Sequence, residues 1–210
     1  KLMHTYMHTI NRKRVPDTIS LNPLYTYKLV VHTVPEQIKE NIKLKAGTHN
    51  IIEVDAPQGY LDLRIQGSDS KFTNINCIVR KKGELQTLNV QGMNYTHNYI
   101  VGDYDLEILT LPRIYISDVK INQSKGTRIT IPQNGTLEIS KGAGSCSVFE
   151  IKEGKNNWVC NISEKSGYYA YKFQPGKYRI VFRSEKSFNT AHTIVKEVKI
   201  SPSLTEKVTF

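Results

Sequence analysis

Apolar and polar residues alternate along Gly102-Asp103-Tyr104-Asp105-Leu106-Glu107-Ile108. In an extended chain this puts Tyr104, Leu106 and Ile108 on one face and Asp105 and Glu107 on the other, the pattern of a half-buried strand. The pattern recurs. Tyr27-Lys28-Leu29-Val30-Val31-His32-Thr33-Val34-Pro35 precedes it, and the same interval separates Tyr27 from Tyr104 and Pro35 from Pro112. Pro175-Gly176-Lys177-Tyr178-Arg179-Ile180-Val181-Phe182-Arg183 follows it and repeats its first half. Gly59-Tyr60-Leu61-Asp62-Leu63 matches Gly135-Thr136-Leu137-Glu138-Ile139, and Asp118-Val119-Lys120-Ile121 matches Glu197-Val198-Lys199-Ile200. Repetition on this scale predicts an array of similar units.

The spacing predicts three units: a partial or degenerate one over 1–54, and full repeats over 55–131 and 132–210. In the first, strands are expected at 27–33, 42–44 and 50–54, with a turn at 46–49. In the second they are expected at 60–65, 76–80, 85–90, 98–101, 102–112, 114–121 and 127–131. A turn at 81–84 carries Gly83. In the third, 147–152 and 158–161 form the matching hairpin, and 207–210 closes the unit where 127–131 closes its predecessor. No run with a 3.6-residue period and a cap suggests a helix. About seven short strands per unit, separated by Gly, Pro, Asn and Ser, predict an all-β fold of tandem antiparallel β-sandwich modules, Ig-like or PEGA-like. A unit of roughly 77 residues is near the lower limit for an independent core, so packing between neighbours is expected to help.

The composition is globular: 39% of residues are apolar and 23% charged. No apolar run approaches the ~18 residues that span a membrane as a helix. Lys1 is not a natural start, so an upstream segment is expected; the match of 207–210 to a unit edge suggests a natural end. The formal charge is +10 and uneven, with eight Lys/Arg against four Asp/Glu in 1–54, nine against eight in 55–131 and twelve against seven in 132–210. The only compact basic run is Arg12-Lys13-Arg14; elsewhere cations are scattered along strands, often beside acids, the pattern of a solvated sheet surface. Nucleic acid is therefore not an expected partner. Cys77, Cys146 and Cys160 make neither a disulfide framework nor a zinc pattern. Cys146 and Cys160 are placed to face each other across one predicted hairpin, and their pairing stays open.

Catalytic motifs are missing. There is no Gly-rich phosphate loop, no Gly-x-Ser-x-Gly elbow and no His-Glu-x-x-His. His4 and His8 have the four-residue spacing of metal ligands on a helix, but lack a third ligand nearby. Asp103 and Asp105 share a strand face, but Lys177 and Arg179 occupy the matching positions in the third unit, so a solvated surface is the better reading. No catalytic, cofactor-binding or metal residue is assigned, no cofactor is expected, and the chain is not read as an enzyme. Tyr168, Tyr169, Tyr171 and Tyr178 suggest either core packing or a sugar-stacking platform. Trp158 is expected to anchor the core of the third unit. Tyr104 and Tyr178 are expected to be equivalent, with a buried ring and a hydroxyl that reaches a polar partner.

The stretch 175–183 resembles PEGA-type surface β-sandwich modules, in which a Pro-Gly-x-Tyr turn leads into an alternating strand. Thr110-Leu111-Pro112-Arg113-Ile114-Tyr115, Trp158-Val159-Cys160-Asn161 and residues 173–183 together resemble the C-terminal β region of von Willebrand factor A-domain proteins of Bacteroidota cell envelopes. The likeness covers most of 20–210 and rests on turns and strands. It implies a non-catalytic structural or adhesion-type role in an exported envelope protein, in the periplasm or at the cell surface, C-terminal to an A domain that this chain does not contain. The implied partner is a protein or a cell-surface glycan. The alternative is a carbohydrate-binding module that uses exposed tyrosines.

Overall fold

The computed structural model describes residues 5, 18–70 and 73–210. His4, His8 and the basic run 12–14 lie outside the described residues. The chain forms two compact units: one comprises Lys1–His32 and Glu36–Asp55, the other Thr33–Pro35 and Ala56–Phe210.

In the first unit, β1 (Thr26–Val31) pairs antiparallel with β2 (Gln37–Lys43). Lys28 meets Glu40 across the pair at 2.9 Å. The strand expected at 50–54 does not form; the segment is held instead by Lys39 Nζ donating to Glu53 O at 2.8 Å. Strand-like alternation becomes a strand only where a neighbour completes the backbone ladder, and no ladder reaches these residues.

Among its described residues the second unit holds fourteen strands in four sheets. They are β3 (Gln58–Ile65), β4 (Asn76–Lys81), β5 (Asn89–Gly92), β6 (Thr96–Ile100), β7 (Gly102–Ile108), β8 (Ile114–Ile121) and β9 (Gly126–Ile131). Then follow β10 (Gly135–Lys141), β11 (Gly144–Lys152), β12 (Lys155–Ile162), β13 (Gly167–Phe173), β14 (Gly176–Ser184), β15 (Ile194–Ile200) and β16 (Thr205–Thr209). The first seven make sheets of order β6-β3-β9 and β5-β4-β7-β8; the last seven make β13-β10-β16 and β12-β11-β14-β15. The two sets follow one plan, strand for strand. In both, the last strand runs parallel to the first, and all other pairings are antiparallel. The fold is thus all-β and of antiparallel sandwich type. Among the described residues the only helical element is a single 3₁₀ turn, Thr190–His192.

Each sandwich has its own core. Leu61, Leu63, Cys77, Val79, Tyr104, Leu106 and Ile108 belong to the first. Leu137, Ile139, Val148, Phe173, Tyr178, Ile180 and Phe182 belong to the second. Among them, Tyr104, Leu106 and Ile108, and Tyr178, Ile180 and Phe182, are alternating positions read from the sequence. The arm expected at 85–90 starts later, at Asn89. Leu85 is exposed, and the apolar positions Leu85 and Leu88 are three apart, which breaks the period of two.

Candidate functional site

The organising tyrosines do the same thing in both sandwiches. Tyr104 and Tyr178 bury their rings, and each hydroxyl donates to the carbonyl four residues back: Ile100 O at 2.6 Å and Gln174 O at 2.7 Å. This is a tyrosine corner, which ties the start of a strand to the chain leading into it. Burial pushes Tyr104 up to about 12 and raises Tyr178 further, so both stay protonated donors. Tyr27 in the first unit makes a similar bond, its hydroxyl donating to Asn22 O at 2.8 Å.

The residues at these corners have a second role. Gln174 N–H donates to Leu111 O at 2.6 Å, and the Leu111 side chain packs on the core that contains Tyr178. Ile100 N–H donates likewise to Val34 O at 2.8 Å, and Val34 packs on the core that contains Tyr104. Both segments are Thr-x-Pro with the proline peptide cis. In both, the threonine Oγ1 donates to the proline carbonyl, at 2.6 Å for Thr33 and 2.7 Å for Thr110. A short loop that leads with a carbonyl and an apolar side chain thus docks beside each corner. The repeated prolines marked these loops in the sequence; what they touch did not show there.

Three carboxylates act as braces. Glu107, expected on a solvated face, is buried at 6% exposure, where Arg80 bonds it at 2.7 Å and Arg113 closes on its other oxygen. The Arg80 bond, more than offsetting burial with help from Arg113, holds its carboxyl below the usual range. Asp62 accepts from Arg64 at 2.7 Å, Arg128 at 2.7 Å and Thr96 at 2.9 Å. Burial pulls Asp62 up, and these donors more than reverse it. Asp105 takes the Gly83 N–H at 2.9 Å and the Asp118 N–H at 3.1 Å, so it fastens a turn and a bulge, while Asp103 stays exposed. The pair is not poised for acid–base work.

Lys141 is buried in the last sandwich. Its ammonium donates to Gly142 O at 3.2 Å, Gly144 O at 3.0 Å and Lys165 O at 3.2 Å, and lies over the rings of Tyr169 and Phe182. The sequence did carry the signal, because 137, 139 and 141 share one strand face.

The cysteines are all free thiols. Burial pushes Cys77 up to about 12 and Cys146 to about 11, which keeps them unreactive. Cys146 stands opposite Ile162 and Cys160 opposite Val148, so the two sit diagonally on neighbouring strands. Among the described residues no three His, Cys, Asp or Glu side chains gather as a metal site. His32 contacts Glu36 at 2.8 Å on the surface. No helix among the described residues is long and apolar enough to cross a membrane.

Of the tyrosines weighed as a platform, Tyr178 is core, and Tyr169 and Tyr171 pack against the core. Only Tyr168 is exposed, and its hydroxyl bonds Glu138. Trp158 is the reverse of the expectation. It is 61% exposed, with its indole N–H donating to Asn161 Oδ1 at 3.1 Å. A register shift after Val148 pairs Phe149 with Trp158; Val159 and Cys160 pack on the core, and the indole turns outward.

No family model matches the sequence, and no curated protein matches it. Solved structures give distant likenesses. The minor pilin GBS52 of Streptococcus agalactiae is 12% identical over 74% of this chain and 94% of its own, with a TM-score of 0.33. A streptococcal ancillary pilin is 9% identical over 83% and 69%, with a TM-score of 0.35. The Bacillus anthracis TIE protein is 14% identical with a TM-score of 0.27; the match covers 73% of this chain and 34% of that longer one. The fold assignment rests on strand order and register, not on these likenesses.

Proposed function

We propose that the chain is a run of non-catalytic β-sandwich modules, 1–54, 55–131 and 132–210, that serves as a stalk or interaction platform of an exported envelope protein. The observation that carries this reading is the docking of Leu111. A loop of one sandwich caps the core of the next and accepts a backbone hydrogen bond at its tyrosine corner. Such a joint suits a protein whose task is to hold modules in a fixed sequence of orientations. Asp62, Asp105 and Glu107 support it, each being spent on tying strands or turns together. The resemblance of 20–210 to the β region of von Willebrand factor A-domain proteins favours the envelope setting and an A domain upstream.

Leu111→Asp tests the joint. It puts a carboxylate into an apolar contact, which disfavours docking. We expect both sandwiches to stay folded while residual dipolar couplings report loss of their fixed relative orientation. Unchanged couplings would remove the main support for a stalk. The full-length gene product tests the setting: an export signal and an A domain upstream agree with it, and a cytosolic enzyme domain there does not.

A further inference from the structure

The outer face of sheet β12-β11-β14-β15 is open. One row across it reads Trp158, Phe149, Arg179, Glu197, each directly opposite the next. Two residues along, Lys177 stands directly opposite Lys199. Both lysines are exposed, and neither has an ion-pair partner among the described residues. Like charges directly opposed destabilise a sheet.

The preceding sandwich shows that the fold does not demand this. By the same strand plan, Lys177 corresponds to Asp103 and Lys199 to Lys120, and there the opposed pair is Asp103 with Lys120, an acid and a base. Where the preceding sandwich opposes an acid and a base, the last opposes two lysines, on the same face as its exposed indole. A bound anion would remove the repulsion.

We propose that this face binds an acidic saccharide, with a uronate carboxylate held between Lys177 and Lys199 and a neighbouring sugar ring against Trp158 and Phe149. Strands lie about 4.8 Å apart and residues rise about 3.3 Å, so Trp158 and Lys177 are roughly 12 Å apart, the span of a short oligosaccharide. The ring is placed for this. Asn161 Oδ1 accepts both the indole N–H at 3.1 Å and the Ser147 hydroxyl at 2.9 Å, which fixes the indole on the sheet. Glu197 stands in the same row, bonded to Arg179 at 2.5 Å. It opposes a continuous phosphate backbone and leaves room for a single carboxylate beside the lysines, so a uronate fits better than a nucleic acid. The proposal goes beyond the module reading and does not depend on the joint at Leu111.

The chain has one tryptophan, so its fluorescence reads this face directly. The whole chain is titrated with oligogalacturonate, with its methyl ester, with oligoglutamate and with oligothymidylate. We expect saturable quenching by oligogalacturonate, weakened at least about ten-fold by esterification and by Lys177→Asp, which copies the preceding sandwich. Calorimetry should show a similar loss for Trp158→Ala. Lys177→Asp should leave the melting temperature unchanged or raised, which separates lost binding from lost folding. No saturable signal, equal affinity for the ester, or unaltered binding by Lys177→Asp overturns the proposal. Tighter binding of oligoglutamate or oligothymidylate also overturns it, and assigns the face to a protein or nucleic-acid partner.

Discussion

Tyr178 joins three levels of the structure through one side chain. Its ring fills the core of the last sandwich, its hydroxyl donates to Gln174 O, and the N–H of Gln174 donates to Leu111 O. Tyr178→Phe keeps the ring and leaves a buried carbonyl short of a partner, at a cost of about 1–3 kcal/mol. Tyr178→Ala opens a cavity as well and costs about 3–5 kcal/mol. Urea unfolding followed by Trp158 fluorescence should rank wild type above Tyr178→Phe and Tyr178→Ala lowest. Equal midpoints for wild type and Tyr178→Phe would mean that the corner bond contributes nothing. The expectation of a buried ring with a bonded hydroxyl holds for Tyr104 too. The expectation for Trp158 fails, because a single bulge reverses which residues of β12 face inward, and a bulge leaves no mark in composition.

Among the elements, β3 and β10 depend on the glycine near their start. A Cβ on Gly59 would sit 2.2 Å from Asn122 O, and one on Gly135 2.4 Å from Ser201 O. Both oxygens are backbone, in the turn that leads into the last strand of each sandwich, so relief requires the turn to move. Overpacking of this kind costs about 1–3 kcal/mol. Gly59→Ala should lower the stability of the first sandwich, and Gly135→Ala that of the second, by similar amounts in thermal unfolding. An effect at one glycine only would show that the two turns are not equivalent. The neighbouring hydrogen bonds repeat with them: Tyr60 N–H donates to Lys125 O, and Thr136 N–H to Leu204 O.

Over the whole molecule, charge is distributed so that acid should act unevenly. Asp62, Asp105 and Glu107 are all held below their ordinary range, and all three belong to the sandwich of β3 to β9. In the last sandwich only Glu138 is lowered, first by the Tyr168 hydroxyl. A carboxyl with a depressed folded-state pKa contributes stability that is present above its unfolded value, here 3.8 for Asp and 4.5 for Glu, and lost as pH falls through the folded value. Urea midpoints should therefore drop from pH 6 to pH 3 more for the first sandwich than for the second. Glu107→Gln should shrink that difference. The opposite order would mean that the arginine braces do not set the acid response.

The sequence by itself determined most of the elements and their repetition, though not the arms expected at 50–54 and 85–90. Period-two alternation places Leu61, Leu63, Tyr104, Leu106, Tyr178 and Ile180 inward, because side chains of a strand point alternately to its two faces. Paired landmarks such as Gly59 with Gly135 mark the repeat, because one backbone plan needs the same small residue at the same close approach. Only the tertiary structure decided what lies across a strand. The burial of Glu107 under Arg80, the capping of a foreign core by Leu111, the outward turn of Trp158 and the opposition of Lys177 to Lys199 all depend on register between segments distant in the chain. Register is a relation between two strands, and a periodicity read along one of them does not contain it.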